Sequence, residues 1–360
     1  MTIRSLRFLF VLCSLAAPAA AQSPQAPAAA PPAQASTPPA EPDYPIIRVG
    51  VLSYVQYDAE LENRSGYNTF DVTRAYLNVN GQLSKNIRFR FTPDIRRVND
   101  SSLSGSLVLR VKYAFVQIDN VGPRSWIRMG AHQTPWLDFE ESINRYRVQG
   151  TMFAEREGLI PGSSDFGASY FASLPAGYGE FHAGVYNGEG YAQPEANKYK
   201  SVQGRLTIRP LPKGNAIAKG FRVSGFFNEG RYDADHPRRL GIVMGSFEHP
   251  HLVATVEGLK ATENPLNQTP SRDIDRTGWS VFLEPRQGTA GLAGIFRYDA
   301  YNPDDDTAGM EQNRMIAGGA YWFVWPRARV GAVVTNEQVH YDLATRPDEN
   351  RILAQMHIEF

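Results

Sequence analysis

The sequence predicts an all-β chain, a transmembrane antiparallel up-and-down β-barrel of about sixteen strands. Segments of about ten residues alternate apolar and polar side chains along most of the chain. The connections between these segments alternate between long and short. The sequence also ends on an alternating strand, "RILAQMHIEF", with an aromatic last residue, Phe360. A barrel in lipid, apolar outside and polar inside, satisfies both faces of such strands.

The segment "NIRFRFTPDIRR" shows the alternation most clearly. Its apolar face carries Ile87, Phe89, Phe91 and Ile95, and its polar face carries Arg88, Arg90, Asp94 and Arg96. A soluble β-sandwich is the alternative fold, but it gives no reason to bury a row of arginines or to expose a row of phenylalanines. The barrel in lipid is therefore favoured.

The strand count and the connections support the same fold. After the segments at Ile46, Arg74 and Asn86, further strands are predicted to begin near Ser106, Ser125, Asp165, Gly179, Tyr199, Phe221, Arg239, His251, Thr277, Ala290, Met315, Arg327 and Arg351. The even total is typical of bacterial single-chain barrels. Short turns such as "SKN" and "WPR" alternate with longer loops, which predicts periplasmic turns, external loops and periplasmic termini.

The N-terminus is organised as an export signal followed by a spacer. Residues 1–21 carry Arg4 and Arg7, an apolar stretch and three alanines before Gln22, as in a secretory signal peptide. Residues 22–44 are rich in Pro and Ala and predict a periplasmic linker. Residues 45–360 form the predicted barrel domain, placed in the outer membrane of a Gram-negative bacterium. The only cysteine, Cys13, lies within the predicted signal peptide.

Composition excludes some function classes. Lys and Arg together number 37, as do Asp and Glu, so the net charge is zero and indicates no nucleic-acid partner. Mean hydropathy is −0.37, and no apolar run after the N-terminus approaches the ~20 residues of a membrane helix. The sequence calls for no metal and no cofactor.

The predicted inward faces of the strands are basic. The expected pore-lining residues are Arg74, Arg88, Arg90, Asp94, Arg96, Arg110, Lys112, Arg128, Arg205 and Arg209. Rings of Arg or Lys within a low-dielectric wall favour anions. The alternative is that these arginines hold a loop in place. Pairing of Arg88, Arg90 and Arg110 with Glu140 and Glu141 would then cancel much of the preference for anions.

The segment after Pro135 is a loop of about thirty residues, which is uncommon without a function. We expect it to fold into the lumen and narrow it. An external lid of solvated charges is the alternative. The charged residues expected at the constriction are Asp138, Glu140, Glu141, Arg145, Arg147, Glu155 and Arg156.

Four other features allow more than one interpretation. Asp304, Asp305 and Asp306 suit either a Ca²⁺ site or, with more weight, a solvated loop, because the spacing of an EF-hand is missing. "HPH", with His249 and His251, is read as a turn rather than a metal site. "DADHP" offers Asp233, Asp235 and His236 to a barrel enzyme, but the sequence shows no facing nucleophile. The five tryptophans are candidates for the aromatic girdles of a membrane barrel, with Trp322 and Trp325 the best placed; a pocket is the alternative for Trp136.

Several motifs resemble successive signatures of the phosphate-selective porin O and P family. They are "RAYLNVNGQLSKNIRFRFTPDI", "RMGAHQTPWLDFEE", "AGVYNGEGY", "GRLTIRPLP" and "GIFRYDAYNPDDD", spread from Arg74 to Phe360. The resemblance implies a trimeric sixteen-stranded outer-membrane porin whose third external loop folds inward. It also implies that Phe360 closes the barrel and serves as the signal for the outer-membrane assembly machinery.

The phosphate channels of that family carry an arginine ladder and a lysine cluster. Arg88, Arg90 and Arg110 match such a ladder, whereas the loop after Pro135 contains no lysine. The expected function is passive diffusion of small hydrophilic solutes and ions, with anions favoured and phosphate or polyphosphate as candidate solutes. A non-conducting structural or adhesion barrel and an outer-membrane barrel enzyme are the alternatives.

Overall fold

The fold was examined in a computed structural model. It describes residues 42–360 except 65, 98–104 and 268, and the side chain of Arg96 also lies outside the description. The predicted signal peptide and nearly all of the predicted linker fall outside the described residues.

Sixteen strands form the barrel, as predicted. Each predicted strand start after β3 lies within three residues of the observed one. The strands are β1 (Ile46–Glu60), β2 (Asn68–Gln82), β3 (Ile87–Arg97), β4 (Leu107–Asp119), β5 (Ser125–Gln133), β6 (Ser164–Ser173), β7 (Gly179–Tyr186), β8 (Ser201–Ile208), β9 (Phe221–Arg231), β10 (Pro237–His249), β11 (Leu252–Glu263), β12 (Ile274–Pro285), β13 (Gly291–Asn302), β14 (Gln312–Trp325), β15 (Ala328–Tyr341) and β16 (Glu349–Glu359).

Every strand pairs antiparallel with its neighbours in sequence, and β16 pairs with β1 to close the barrel. At the seam, the backbone amide of Val51 donates to the carbonyl of Phe360 at 2.8 Å, and the amide of Phe360 donates to the carbonyl of Val51 at 3.1 Å. Closure leaves no strand edge in the sheet, which is the condition for placing strands in lipid.

The two faces of the wall differ as the alternation predicts. Apolar side chains on the outer face are strongly exposed, such as Phe70 at 80 % and Met129 at 71 %. On β16, Met356 is exposed outward, while Gln355 and His357 are buried inside. The outer wall is therefore an apolar surface suited to lipid.

The tryptophans divide between the two faces. Trp279 and Trp325 are about half exposed on the outer face, which fits a girdle. Trp322 is wrongly predicted as a girdle residue, because its ring is buried inside the barrel and its indole N–H donates to the Tyr146 hydroxyl at 3.3 Å. Trp126 also turns inward, where its ring stacks on Phe171.

Two bulges alter the register. One lies between Tyr54 and Val55 where β1 meets β2, and the other lies between Thr92 and Pro93 where β3 meets β4. The second bulge places consecutive residues of β4, Lys112 and Tyr113, inside the barrel. A bulge inserts one unpaired residue and re-aims the side chains that follow it, and a strict alternation cannot predict this.

In the part of the chain that the structure describes, three α-helices complete the fold: α1 (Pro135–Ile143), α2 (Phe153–Arg156) and α3 (Ala216–Gly220). The first two lie in the loop of residues 134–163, named L3 below. We call the end of the barrel that carries L3 the loop end and the opposite end the turn end. Within the described residues, no helix is long and apolar enough to cross a membrane.

Candidate functional site: the barrel lumen

L3 lies inside the barrel and rests on one half of its inner wall. This half is apolar at mid-height, where Leu240, Ile242, Met244 and Phe282 point inward and are buried. Trp136 of α1 and Phe153 of α2 are fully buried against it, with the Trp136 ring centroid 5.7 Å from that of Phe226. A buried apolar contact of this size fixes the loop in place.

Polar contacts attach the loop to the same half of the wall. The Arg145 Nε donates to Glu284 at 2.7 Å, and Arg156 lies 3.5 Å from Asp299. The Gln149 amide donates to Glu337 at 3.0 Å, and the Gln355 amide donates to the carbonyl of Val148 at 2.7 Å. L3 is therefore bound to the wall on the side of β12–β16.

The other half of the wall, formed by β1–β5, carries a row of bases that we call the basic strip: Arg48, Arg74, Arg88, Arg90, Arg110, Lys112 and Arg128. Two cavities lie beside it. One, of about 390 Å³, lies between the strip and α1, and its lining includes Arg74, Arg90 and Glu141. The other, of about 440 Å³, lies toward the turn end. They share Arg90 and Gln133 as lining residues and so adjoin.

Three bases of the strip have acidic partners. Arg110 lies 3.0 Å from Asp94, and Arg88 lies 2.7 Å from Asp119. Arg128 lies 3.7 Å from Asp138, the acid of α1 that faces the strip. Both strand acids belong to the strip's own wall, so only Arg128 is paired with the loop.

The remaining four bases have no carboxylate within 4.0 Å among the residues that the structure describes. Arg90 donates to the Asn78 side chain at 2.8 Å, and its guanidinium lies 4.2 Å from the Tyr113 ring centroid. Arg74 lies over the Tyr76 ring at 5.2 Å. Lys112 is buried and donates to the Tyr76 hydroxyl at 2.5 Å. Arg48 is exposed near the turn end. Positive charge is thus left uncompensated on this half of the lumen.

The alternative in which Arg88, Arg90 and Arg110 pair with Glu140 and Glu141 does not occur in the structure. Glu141 lies 3.3 Å from Arg147, within L3 itself. Glu140 is buried at the contact between α1 and the wall and forms none of these pairs. Because L3 rests on the far half of the wall, Glu141 is paired within the loop, and Asp138 is the loop acid that meets the strip.

Arg147 neutralises a second acid of the loop. Its guanidinium also pairs with Glu155 through two hydrogen bonds. Burial by itself would raise the pKa of Glu155, but the Arg147 charge holds this pKa below its usual value. Three charges expected at the constriction therefore form one internal cluster of L3.

The predicted pore residues Arg205 and Arg209 stand apart from the strip. Arg205 points inward but is buried beneath α1, where it donates to the carbonyl of Pro135 at 2.9 Å and pairs with Glu180 at 2.7 Å. Its prediction as a water-exposed lining residue is wrong, because L3 covers it. Arg209 directly follows β8 at the turn end. Arg96 lies in β3, and its side chain is outside the description.

Sequence reasoning missed the tyrosines that surround the unpaired bases. Tyr54 and Tyr76 lie at inward positions of the same alternating strands, so the alternation that placed Arg74 could have found them. Tyr191 reaches the strip from the loop between β7 and β8, and its hydroxyl accepts a hydrogen bond from Arg110 at 2.6 Å. No local sequence pattern marks a contact between residues so far apart in the chain.

The candidate enzymatic residues lie in loops at the loop end. Asp233 accepts hydrogen bonds from the backbone amides of Asp235 and His236 and from the His236 ring at 2.6 Å. Ser271, unforeseen from the sequence, lies 3.5 Å from the other ring nitrogen of His236, but its hydroxyl donates to Asn264 at 3.0 Å. The geometry is that of a side-chain-capped turn.

The aspartates of the β13–β14 loop are bound by an arginine. Arg272 pairs with Asp304 and lies 3.2 Å from Asp306. Asp305 accepts a hydrogen bond from the Thr277 hydroxyl at 2.9 Å. These carboxylates are engaged within the protein, as expected of a loop held by ion pairs.

No protein-family model matches this sequence, and no curated protein matches it. Solved structures do resemble the barrel. OmpT, an outer membrane protein of Vibrio cholerae, has a TM-score of 0.61 at 13% identity, covering 89% of this chain and 99% of that one. An anion-selective porin from Comamonas acidovorans has a TM-score of 0.61 at 10% identity, covering 88% and 100%. The outer membrane channel DcaP of Acinetobacter baumannii has a TM-score of 0.61 at 12% identity, covering 88% and 97%.

At these identities the comparisons show the fold. The chain has the closed barrel of outer-membrane proteins, and porins and channels are among the structures that share it.

Proposed function

We propose that the chain is an outer-membrane porin through which small hydrophilic solutes and ions diffuse without chemical change. The fold is one that channels use, and the lumen beside the basic strip holds two adjoining cavities rather than packed side chains. A barrel of about sixteen strands is wide enough for an aqueous path even when a loop occupies part of it.

We infer further that the channel favours anions. The observation that carries this is the set of three arginines without carboxylate partners among the described residues, Arg48, Arg74 and Arg90, on the half of the lumen that L3 leaves free. Among the acids of L3, Glu141 and Glu155 pair with Arg147, Glu140 lies at the far wall, and Asp138 meets only Arg128 of the strip. A low-dielectric wall focuses the remaining positive field onto the path of the solute.

Phosphate or polyphosphate is the narrower proposal, and it rests on the resemblance to the phosphate-selective porins. Of the candidate ladder, Arg88 and Arg110 each have a carboxylate partner, whereas Arg90 has a neutral one. L3 supplies no lysine. A general anion-favouring porin therefore has more support than a dedicated phosphate channel.

The partners follow from the same proposal. The apolar outer wall suits outer-membrane lipid, and part of it would be covered in a homotrimer, the form in which one structure of Vibrio cholerae OmpT is solved. The outer-membrane assembly machinery would recognise the strand that ends in Phe360. Small anionic or polar solutes would be the transported species.

Single-channel recording in a planar bilayer tests the proposal. The purified chain should give stepwise ion currents, and phosphate added to a chloride solution should reduce them in a saturable manner only if the channel binds phosphate. Stepwise currents without phosphate block would support the general porin. An absence of current from a barrel shown to be folded would overturn the porin and favour a structural or adhesion barrel.

A further inference from the structure

A second cluster of charges lies where L3 meets the wall, away from the basic strip. Glu140 of α1 is 8% exposed, and Glu257 of β11 is 3% exposed. Within the described part of the chain, Oε2 of Glu140 and Oε1 of Glu257 are buried without a hydrogen-bond partner. An ionised carboxylate left in this state is strongly disfavoured, because it loses its water and gains no donor.

The nearby arginines are already committed to other groups. Arg297 of β13 donates through Nε to Asp299 at 2.8 Å and through Nη1 to the carbonyl of Thr151 at 3.1 Å. Arg156 of α2 lies 3.5 Å from the same Asp299. Two guanidinium groups thus face three buried carboxylates, those of Glu140, Glu257 and Asp299.

The remaining charges that act on Glu140 are negative. They are Glu155 and Glu141 of L3 itself, both paired with Arg147. Among the described residues, Arg297 is the one positive charge found to act on Glu140; its Nη2 atom is buried without a hydrogen-bond partner, and none of its hydrogen bonds reaches Glu140. Without a donor and with more negative than positive charge around it, Glu140 is favoured in its uncharged form at the contact between α1 and β11–β13.

We propose that L3 docks on the wall through a protonated Glu140, and that loss of this proton at rising pH loosens the loop. In the docked loop, Glu140 lies beside Glu257 and Asp299 without a donor of its own. In a released loop, the same carboxyl would be in water and would ionise freely. Rising pH therefore favours release.

The burial of Glu140 sets the direction and the pH range of the change in docking. Burial raises the pKa of Glu140 from 4.5 to about 7 in the docked loop, and the released carboxyl would return to its ordinary value. Docking is thus strongest below about pH 4.5, weakens as pH rises toward 7 and is weakest above it. Each unit of difference between the two pKa values changes the docking equilibrium constant tenfold, so this constant changes by up to about 300-fold over this range.

This device would regulate the lumen, because α1 also carries Asp138 and Glu141 beside the basic strip. Only this consequence rests on the proposed function. Docking itself can be measured without any current, so failure of the porin proposal and failure of this inference are distinguishable.

Hydrogen exchange measured by mass spectrometry tests the inference on the purified chain folded in detergent micelles. Protection factors for residues 135–149, corrected for the intrinsic pH dependence of exchange, should fall at least tenfold between pH 5 and pH 8. In Glu140→Gln they should be equal at the two pH values. Glu229→Gln is the matched control, since it removes the same charge from the outer face of β9, and it should retain the fall.

Two outcomes would overturn the inference. One is an unchanged protection factor in the unmodified chain across this range, and the other is an equal fall in Glu140→Gln. If Glu140→Gln does not fold, Asp299→Asn supplies the second test. Removing this charge frees Arg297 to stabilise an ionised Glu140 and should reduce the fall, and an undiminished fall in that variant would contradict the proposal.

Discussion

The Arg147 guanidinium lies 3.3 Å from the Glu141 carboxylate, so this acid of α1 is neutralised within its own loop, whereas Asp138 meets only Arg128 of the opposite wall. The bases of the opposite wall are therefore left to act on solutes. The sequence allows two interpretations: the wall arginines hold the loop in place, or they line the lumen and face the solute. The Arg147–Glu141 pair favours the second.

Arg74 and Arg90 are expected to control ion selectivity. Replacing either by glutamine should lower the chloride-to-potassium permeability ratio by about fivefold, since a unit charge about 4 Å from an ion contributes roughly 1 kcal/mol in water. Arg239→Gln is the matched control. It removes the same charge from the outer face, where Arg239 pairs with Glu229 at 3.0 Å. An equal effect of all three variants would exclude a role of the strip.

The Arg145–Glu284 pair is expected to stabilise L3 on the wall. Glu284 is fully buried, and Arg145→Gln should lower the free energy of unfolding by about 1–3 kcal/mol, because Tyr146 and Arg286 remain as partners of the carboxylate. The double variant Arg145→Gln/Glu284→Gln should recover part of this loss. Urea titration of the refolded barrel measures both. The pairing would be contradicted if the double variant lost more free energy of unfolding than the two single variants lose when their losses are added.

Gly130 is expected to be irreplaceable in β5. Its φ of 122° is unfavourable for other residues, and an added Cβ would lie 2.3 Å from the carbonyl oxygen of Ala114. Gly130→Ala should therefore destabilise the barrel by about 1–3 kcal/mol or more. Gly245→Ala, whose Cβ would meet no atom within 4 Å, should be close to neutral. The temperature at which the barrel unfolds on a denaturing gel compares the two.

Phe360 is expected to matter for assembly more than for stability. Its ring is 61% exposed, whereas its backbone forms the hydrogen bonds that close the seam. Phe360→Ala should change the free energy of unfolding of the refolded barrel by only about 0.5 kcal/mol, but it should reduce the amount of barrel in the outer membrane of producing cells. Normal amounts in cells would remove the proposed assembly role.

The alternation predicts the strands and their closure because one face of each strand meets lipid and the other does not. It fails where the inner face is not simply polar. On β9–β12 several inward residues, such as Phe226, Ile242 and Phe282, are apolar because they seat L3, a contact between segments distant in the chain. The girdle placement of Trp322 fails because the ring has a loop partner, and the inward position of Tyr113 beside Lys112 follows from a bulge that alternation does not report.

The candidate site is predictable in its residue types but not in its pairing. The inward arginines can be predicted from the register of the strands, and the acids of L3 can be predicted from the composition of the loop. Which acid meets which base depends on the half of the wall on which L3 rests. The position of L3 is set by Trp136 and Phe153, which pack against the apolar part of the wall. No local sequence pattern around Glu140 or Glu141 predicts this packing.

The reversal potential in a planar bilayer under a potassium chloride gradient tests the central claim most directly. The unpaired bases of the strip predict a potential of the sign set by chloride, shifted toward zero in Arg74→Gln and Arg90→Gln. A potential of the sign set by potassium in the unmodified chain would contradict the account, because it would mean that the loop acids govern the path.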